Sequence, residues 1–176
     1  MKNNVKIAFC GVMSALAAAL LLLSYFPYFT YAVPAIAGLV GLIVLIEINT
    51  KWSIITYVVT AVLALRFAEP EAMLMYVLFL GYYPILKSVI EKINNKTVQY
   101  VVKFAVFNAA VILVYTVLAK IFGIYMGDVG VLGKYGIAFL FALANITFYL
   151  YDIVLVRVAN VYLMRLHKQV SKILKK

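Results

Sequence analysis

A chain of 176 residues that is 67% hydrophobic and 12% charged, with a mean hydropathy of +1.07, is too apolar for a water-soluble domain; such domains are nearer half apolar. The formal net charge of +10 has no nucleic-acid-binding domain behind it, so it points to anionic lipid as the partner of the basic side chains and not to nucleic acid. The single cysteine, Cys10, cannot close an internal disulfide and is read as a packing residue.

A bilayer core of roughly 30 Å takes about 20 helical residues to cross, and six apolar runs of that order follow one another. The first, residues 5–26, ends at Pro27. It is longer than a signal-peptide core, has no small-residue cleavage pattern after it, and is expected to stay as a membrane helix. The second covers 31–48 and the third 52–67, with Asn49, Thr50 and Lys51 between them. The fourth, 70–90, opens on Pro70 and carries Pro84 near its end. The polar stretch from Glu91 to Thr97 precedes the fifth, 100–126. A glycine-bearing loop then leads to the sixth, 135–166, and residues 167–176 form a basic tail. Barrel strands would alternate apolar and polar residues, and these runs do not. The expected fold is an all-α integral membrane six-helix bundle in one domain.

With the N-terminus in the cytoplasm, thirteen basic residues fall at or near the inner face, and only Arg66, Lys120 and Lys134 fall on the other. Positive loops resist translocation, so both termini are expected to be cytoplasmic. The chain is expected to be a multi-pass protein of a bacterial cell membrane.

Gly11, Ala15 and Ala19 recur at four-residue spacing on the first helix, with Ser14 and Ala18 beside them. A smooth strip of this kind lets another backbone approach closely, either a partner's or that of the second helix, which has its own small set in Ala37, Gly38 and Gly41. Four ionisable residues, Glu47, Lys87, Asp152 and Arg157, are placed near the inner third of the membrane and are expected to neutralise one another. Asp152 and Arg157 are five apart, about 140° around a helix, so each must look to another helix. Tyr82, Tyr83 and Tyr151 flank the group. It is read either as a structural network or as a site coupled to a partner or to protons.

At the outer end, Tyr25, Phe26, Tyr28, Phe29 and Tyr31 surround the first turn, and Arg66, Glu69 and Glu71 crowd the second. Tyr125, Asp128, Lys134 and Tyr135 mark the third. These side chains form an interfacial belt or line a pocket for a small ligand. Asn108, Tyr115, Asn145 and Tyr149 lie deeper, as its floor or as hydrogen-bonding glue between helices. The only histidine, His167, lies in the tail, so neither a histidine-pair metal site nor a serine-histidine arrangement is available within the membrane. There is no phosphate-binding loop. The sequon Asn95-Lys96-Thr97 falls on the inner side and is set aside. No enzyme activity, metal or cofactor is expected.

Six helices, cytoplasmic ends and the Ala15–Ala19 ladder extended back to Gly11 resemble the substrate-binding S component of energy-coupling factor (ECF) transporters over nearly the whole chain. The resemblance implies that the ladder docks on a transmembrane T component served by two ATPase subunits. It also implies an outward-opening pocket for a vitamin-like micronutrient, with Tyr25, Tyr28, Tyr31, Arg66 and Glu69 as candidate ligand residues; Asn145 and Tyr149, from their depth on the sixth helix, are added as candidates for its floor. Two alternatives of other classes are a scaffold similar in size and helix count to the rod-shape protein MreD, and a small ion-coupled carrier using Asp152 and Glu47. The carrier is disfavoured because the sequence shows no inverted halves.

Overall fold

The computed structural model describes residues 2–26, 28–121 and 136–174, and every regular element among them is helical. α1 (Asn3–Leu22) tightens into a 3-10 turn over Leu23–Tyr25, where the Ser24 hydroxyl donates to Leu21 O at 2.7 Å. α2 (Ala32–Glu47) and α3 (Thr50–Phe67) follow, α3 being capped by the Asn49 side chain, which accepts from the Trp52 amide at 3.1 Å. α4 (Pro70–Met75) has Glu69 as its cap, accepting from the Ala72 amide at 3.1 Å, and Pro70 in the first turn, where a missing N–H costs nothing.

α4 passes through a π turn, Tyr76–Leu80, into α5 (Tyr83–Ile90). The rest is α6 (Lys96–Ile121), α7 (Gly136–Arg165) and α8 (His167–Leu174). The tail is thus helical through Leu174, where only a basic segment was expected. The glycine-bearing loop, with Tyr125, Asp128, Lys134 and Tyr135, lies outside the described residues.

Among the described residues, five helical stretches are long and apolar enough to cross a bilayer: Asn3–Tyr25, Thr50–Phe67, Pro70–Ile90, Lys96–Val117 and Ala138–Arg165. α2 is as apolar but has 16 residues, about 24 Å at 1.5 Å per residue, short of the roughly 30 Å core. The surface is inverted relative to a soluble protein. Val12, Leu16, Val62, Leu65, Ile112, Ile146 and Leu150 face outward, whereas Ser14, Ser53, Thr56, Thr60, Lys87, Lys103 and Asp152 are buried. Water would reverse that distribution, and lipid explains it. The chain is a multi-pass membrane protein.

The broken span Pro70–Ile90 is central, with 61% of its apolar window buried against at most 28% for the other four. On one side, Ala17, Leu21, Val33, Ala37, Ala61 and Tyr76 join α1, α2 and α3 to it. On the other, Phe107 of α6 and Phe148 of α7 stack at 4.4 Å, and the Phe79 ring meets both edge-on. The break follows from backbone chemistry. Within the π turn the Gly81 amide bonds back to Tyr76 O at 2.8 Å, and the Val77 carbonyl is satisfied by the Tyr57 hydroxyl of α3 at 2.7 Å. Pro84 has no N–H to offer Leu80 O. That carbonyl lies against Gly38 of α2, where a Cβ would collide with it. Gly38 therefore lets α2 pass close to the break.

Candidate functional site

Asp152 of α7 is the hub of a closed ring of charges. Its Oδ1 accepts from the Tyr83 hydroxyl at 2.6 Å and from Lys87 Nζ, both on α5, while Oδ2 accepts from Lys103 Nζ of α6 at 3.0 Å. Lys87 Nζ also reaches the Asp152 backbone carbonyl at 3.3 Å. Glu91, in the turn after α5, closes the ring through a single oxygen: Oε1 lies 2.8 Å from Lys87 Nζ and 2.9 Å from Lys103 Nζ. Two ammonium groups and two carboxylates balance, and both oxygens of Asp152 are occupied, as burial of charge requires.

Glu91 is the member nearest water, its side chain 40% exposed against 5–10% for the other three. Its partial burial pushes the carboxyl pKa up, but the hydrogen bonds and charges of Lys87 and Lys103 more than offset this and hold it below its ordinary value.

Two of the four residues expected to form the intramembrane network, Lys87 and Asp152, therefore do so, joined by Lys103, Glu91 and Tyr83. The other two do not take part. Glu47, its side chain 1% exposed, ends α2 beside α7 and α8, accepting from the Tyr162 hydroxyl at 2.6 Å and bonding His167 Nδ1 at 2.9 Å. Arg157 is exposed, and no ion pair among the described residues includes it. It sits about 140° from Asp152 on α7, so the rotation that buries Asp152 turns Arg157 outward.

These bonds gather the end of α2, the α5–α6 turn and the α7–α8 junction at one end of the bundle. At the other, the Tyr31 hydroxyl donates to Glu71 Oε2 at 3.0 Å, and the Glu69 amide donates to Ser24 Oγ at 3.3 Å. Of the ligand candidates there, Tyr25 and Tyr28 are exposed, and Tyr28 has a φ of 74°, a left-handed conformation strained for a tyrosine. Tyr31 and Arg66 are exposed, and Glu69 serves as the α4 cap.

Asn145 and Tyr149 do not join them. Asn145 donates to Asn108 Oδ1 at 3.0 Å and Phe141 O at 2.9 Å, so it couples α7 to α6, and Tyr149 is exposed on α7. No hydrogen bond among the described residues links either to Tyr25, Tyr28, Tyr31, Arg66 or Glu69.

The ladder on α1 divides into two faces. Cys10, Ser14, Ala17 and Leu21 are buried toward α2 and α3, with the Ser14 hydroxyl 3.5 Å from Thr56 O, whereas Gly11, Ala15 and Ala19 are exposed. A Cβ added to Gly11 meets nothing within 4 Å. Ala15 and Ala19 of this strip, with Ala18, Leu22, Leu63 and Phe67, help line an apolar depression of about 220 Å³ between α1 and α3.

Among the described residues, no group of three His, Cys, Asp or Glu side chains is arranged to hold a metal ion. Comparison with family models, with curated proteins and with solved structures found no match for the chain.

Proposed function

We propose that this chain is the substrate-binding membrane subunit of an ECF-type transporter. It is a six-helix bundle of a bacterial cell membrane, with both termini cytoplasmic. It captures a vitamin-like micronutrient from outside and docks on a T component that carries two ATPases. The observation that carries the reading is the open strip Gly11, Ala15 and Ala19, which this bundle leaves uncovered while burying the neighbouring small residues of the same helix. Helix association in lipid depends on close packing, and a strip without protruding side chains is where a second backbone can approach.

The rest of the reading follows from charge and length. The cation-rich end goes inward by the positive-inside rule, which turns Tyr25, Tyr28, Tyr31, Arg66 and Glu69 outward as the ligand-capturing end. α2 serves as the sixth span because neighbours cover its short length, and mismatch of a few ångström costs only fractions of a kcal/mol per ångström. With no nucleotide cradle of its own, the chain draws on partners for energy.

The test is purification of the tagged chain from its native membrane in mild detergent. The expected result is recovery of a second integral subunit with a pair of ATP-binding subunits, and release of a small molecule from the chain on denaturation. Recovery of cell-wall or division proteins without ATPases replaces the transport reading with a scaffold.

A further inference from the structure

Between α2, α5 and α7, at the end of the bundle that holds the charge ring, lies an open slot of about 150 Å³. Leu42, Leu45, Leu155 and Val156 give it apolar walls, and Lys87 and Glu91 bring the ring to its edge. It is smaller than the few hundred Å³ that a drug-sized molecule needs. Its walls suit a length of hydrocarbon, and its charges suit a headgroup.

Glu91 is the replaceable member of the ring. Lys87, Lys103 and Asp152 are buried, and Glu91 offers one carboxylate oxygen to both ammonium groups from the solvent edge. Without it the remaining three groups carry an unbalanced positive charge in a poorly solvated place, which an anionic oxygen must fill. A phosphodiester supplies such an oxygen.

We infer that this slot is an anionic phospholipid site, in which the lipid phosphate displaces the Glu91 carboxylate from Lys87 and Lys103 while an acyl chain lies along Leu42, Leu45, Leu155 and Val156. Lipid is favoured over a soluble anion by those apolar walls and by the surrounding charge. The carboxylates Glu47, Glu91 and Asp152 at this end are all engaged in internal bonds, whereas Lys92, Lys96, Arg157, Arg165, Lys168 and Lys172 are exposed. Such an excess of cations draws anionic lipid to the surface that the slot opens on. The inference requires only that the chain span a bilayer, so it stands or falls independently of docking through α1.

The experiment is native mass spectrometry of the intact chain released from nanodiscs of equimolar phosphatidylglycerol and phosphatidylcholine, on the wild type, Glu91→Gln and Ala159→Phe. Ala159 lines the slot, and a phenyl ring there fills it. Phosphatidylglycerol should be retained over phosphatidylcholine by the wild type. Glu91→Gln should raise that retention about 1.5- to 5-fold, the equivalent of removing one partly exposed competing ion pair. Ala159→Phe should abolish it. Asn160→Trp, at an exposed position lining the same slot, provides the second block if the phenylalanine variant fails to fold. Equal retention of the two lipids overturns the inference, as does unchanged or weaker retention in Glu91→Gln. Competition by glycerol 3-phosphate as effective as that by phosphatidylglycerol assigns the site to a soluble anion and overturns the lipid.

Discussion

Lys103 Nζ of α6 stands 3.0 Å from Asp152 Oδ2 of α7, and both side chains are buried. Removing Asp152 leaves two ammonium groups with Glu91 as their only carboxylate, whereas removing Lys103 leaves Asp152 still bonded to Lys87 and Tyr83. Asp152→Ala is expected to cost about 3–5 kcal/mol, the range for breaking a buried ion pair, and Lys103→Met distinctly less. Thermal unfolding in detergent measures both. Equal losses would mean that Asp152 is not the hub.

Glycines of the same chain should respond in opposite ways. Gly38→Ala drives a Cβ into the Leu80 carbonyl and to within 3.0 Å of the Tyr151 hydroxyl, so it should destabilise by about 1–3 kcal/mol through overpacking. Gly11→Ala meets open space at a mid-helix position and should stabilise the isolated chain by about 0.5–1 kcal/mol, since alanine is the better helix former. A melting curve for each variant decides the matter. A neutral Gly38→Ala would contradict the close passage of α2 over the break.

Tyr57→Phe removes the donor that satisfies Val77 O beside the π turn. A fully buried carbonyl left without a partner costs about 1–3 kcal/mol; this bond is part-buried, so the loss should fall at the low end, about 1 kcal/mol, and be local. Amide exchange is expected to quicken across residues 76–82 more than in α6 or α7, and uniform protection would show that the hydroxyl does not seal the break.

Glu91 gives a pH signature. Its pKa is lower in the fold than in the unfolded chain, so its stabilising contribution is complete above the ordinary carboxylate pKa of about 4. That contribution is lost as pH falls through the depressed value. In detergent free of anionic lipid, Glu91→Gln should therefore be less stable than the wild type at neutral pH. The size is within about 1 kcal/mol, because the side chain is 40% exposed. The two curves should converge at acid pH, and a difference that grows on acidification would contradict the ring.

The parts of this arrangement that follow from local rules could be read in the sequence. Lys87 and Asp152 stand out because charge within an apolar run must find a partner, and the fourth run opens on Pro70, where α4 begins. Lys103 and Glu91 are harder to pick out, because each sits close to a helix end, where a charge ordinarily reaches the headgroups. The signal available for Lys103 was its position inside the fifth apolar run, the same signal that picked out Lys87.

The partners of Glu47 are not legible in the sequence, because the register of α2 against α7 is set by tertiary packing, which carries its carboxylate to Tyr162 and to His167 of the tail. Pro84 was visible, but the π turn upstream of it depends on Gly38 and Tyr57, which belong to other helices. The four-residue spacing of Gly11, Ala15 and Ala19 was plain, yet which face of α1 stays open depends on where α2 and α3 pack.

The most direct measurement of the central claim is co-purification of the energising subunits with Ala15→Trp, compared with the wild type and with Ile112→Trp, a bulky change at an exposed position on α6. The expected result is that Ala15→Trp loses the T component and the ATPases while keeping its own fold and bound small molecule, and that Ile112→Trp keeps them all. Undiminished recovery of the partners with Ala15→Trp would contradict docking through the open strip of α1.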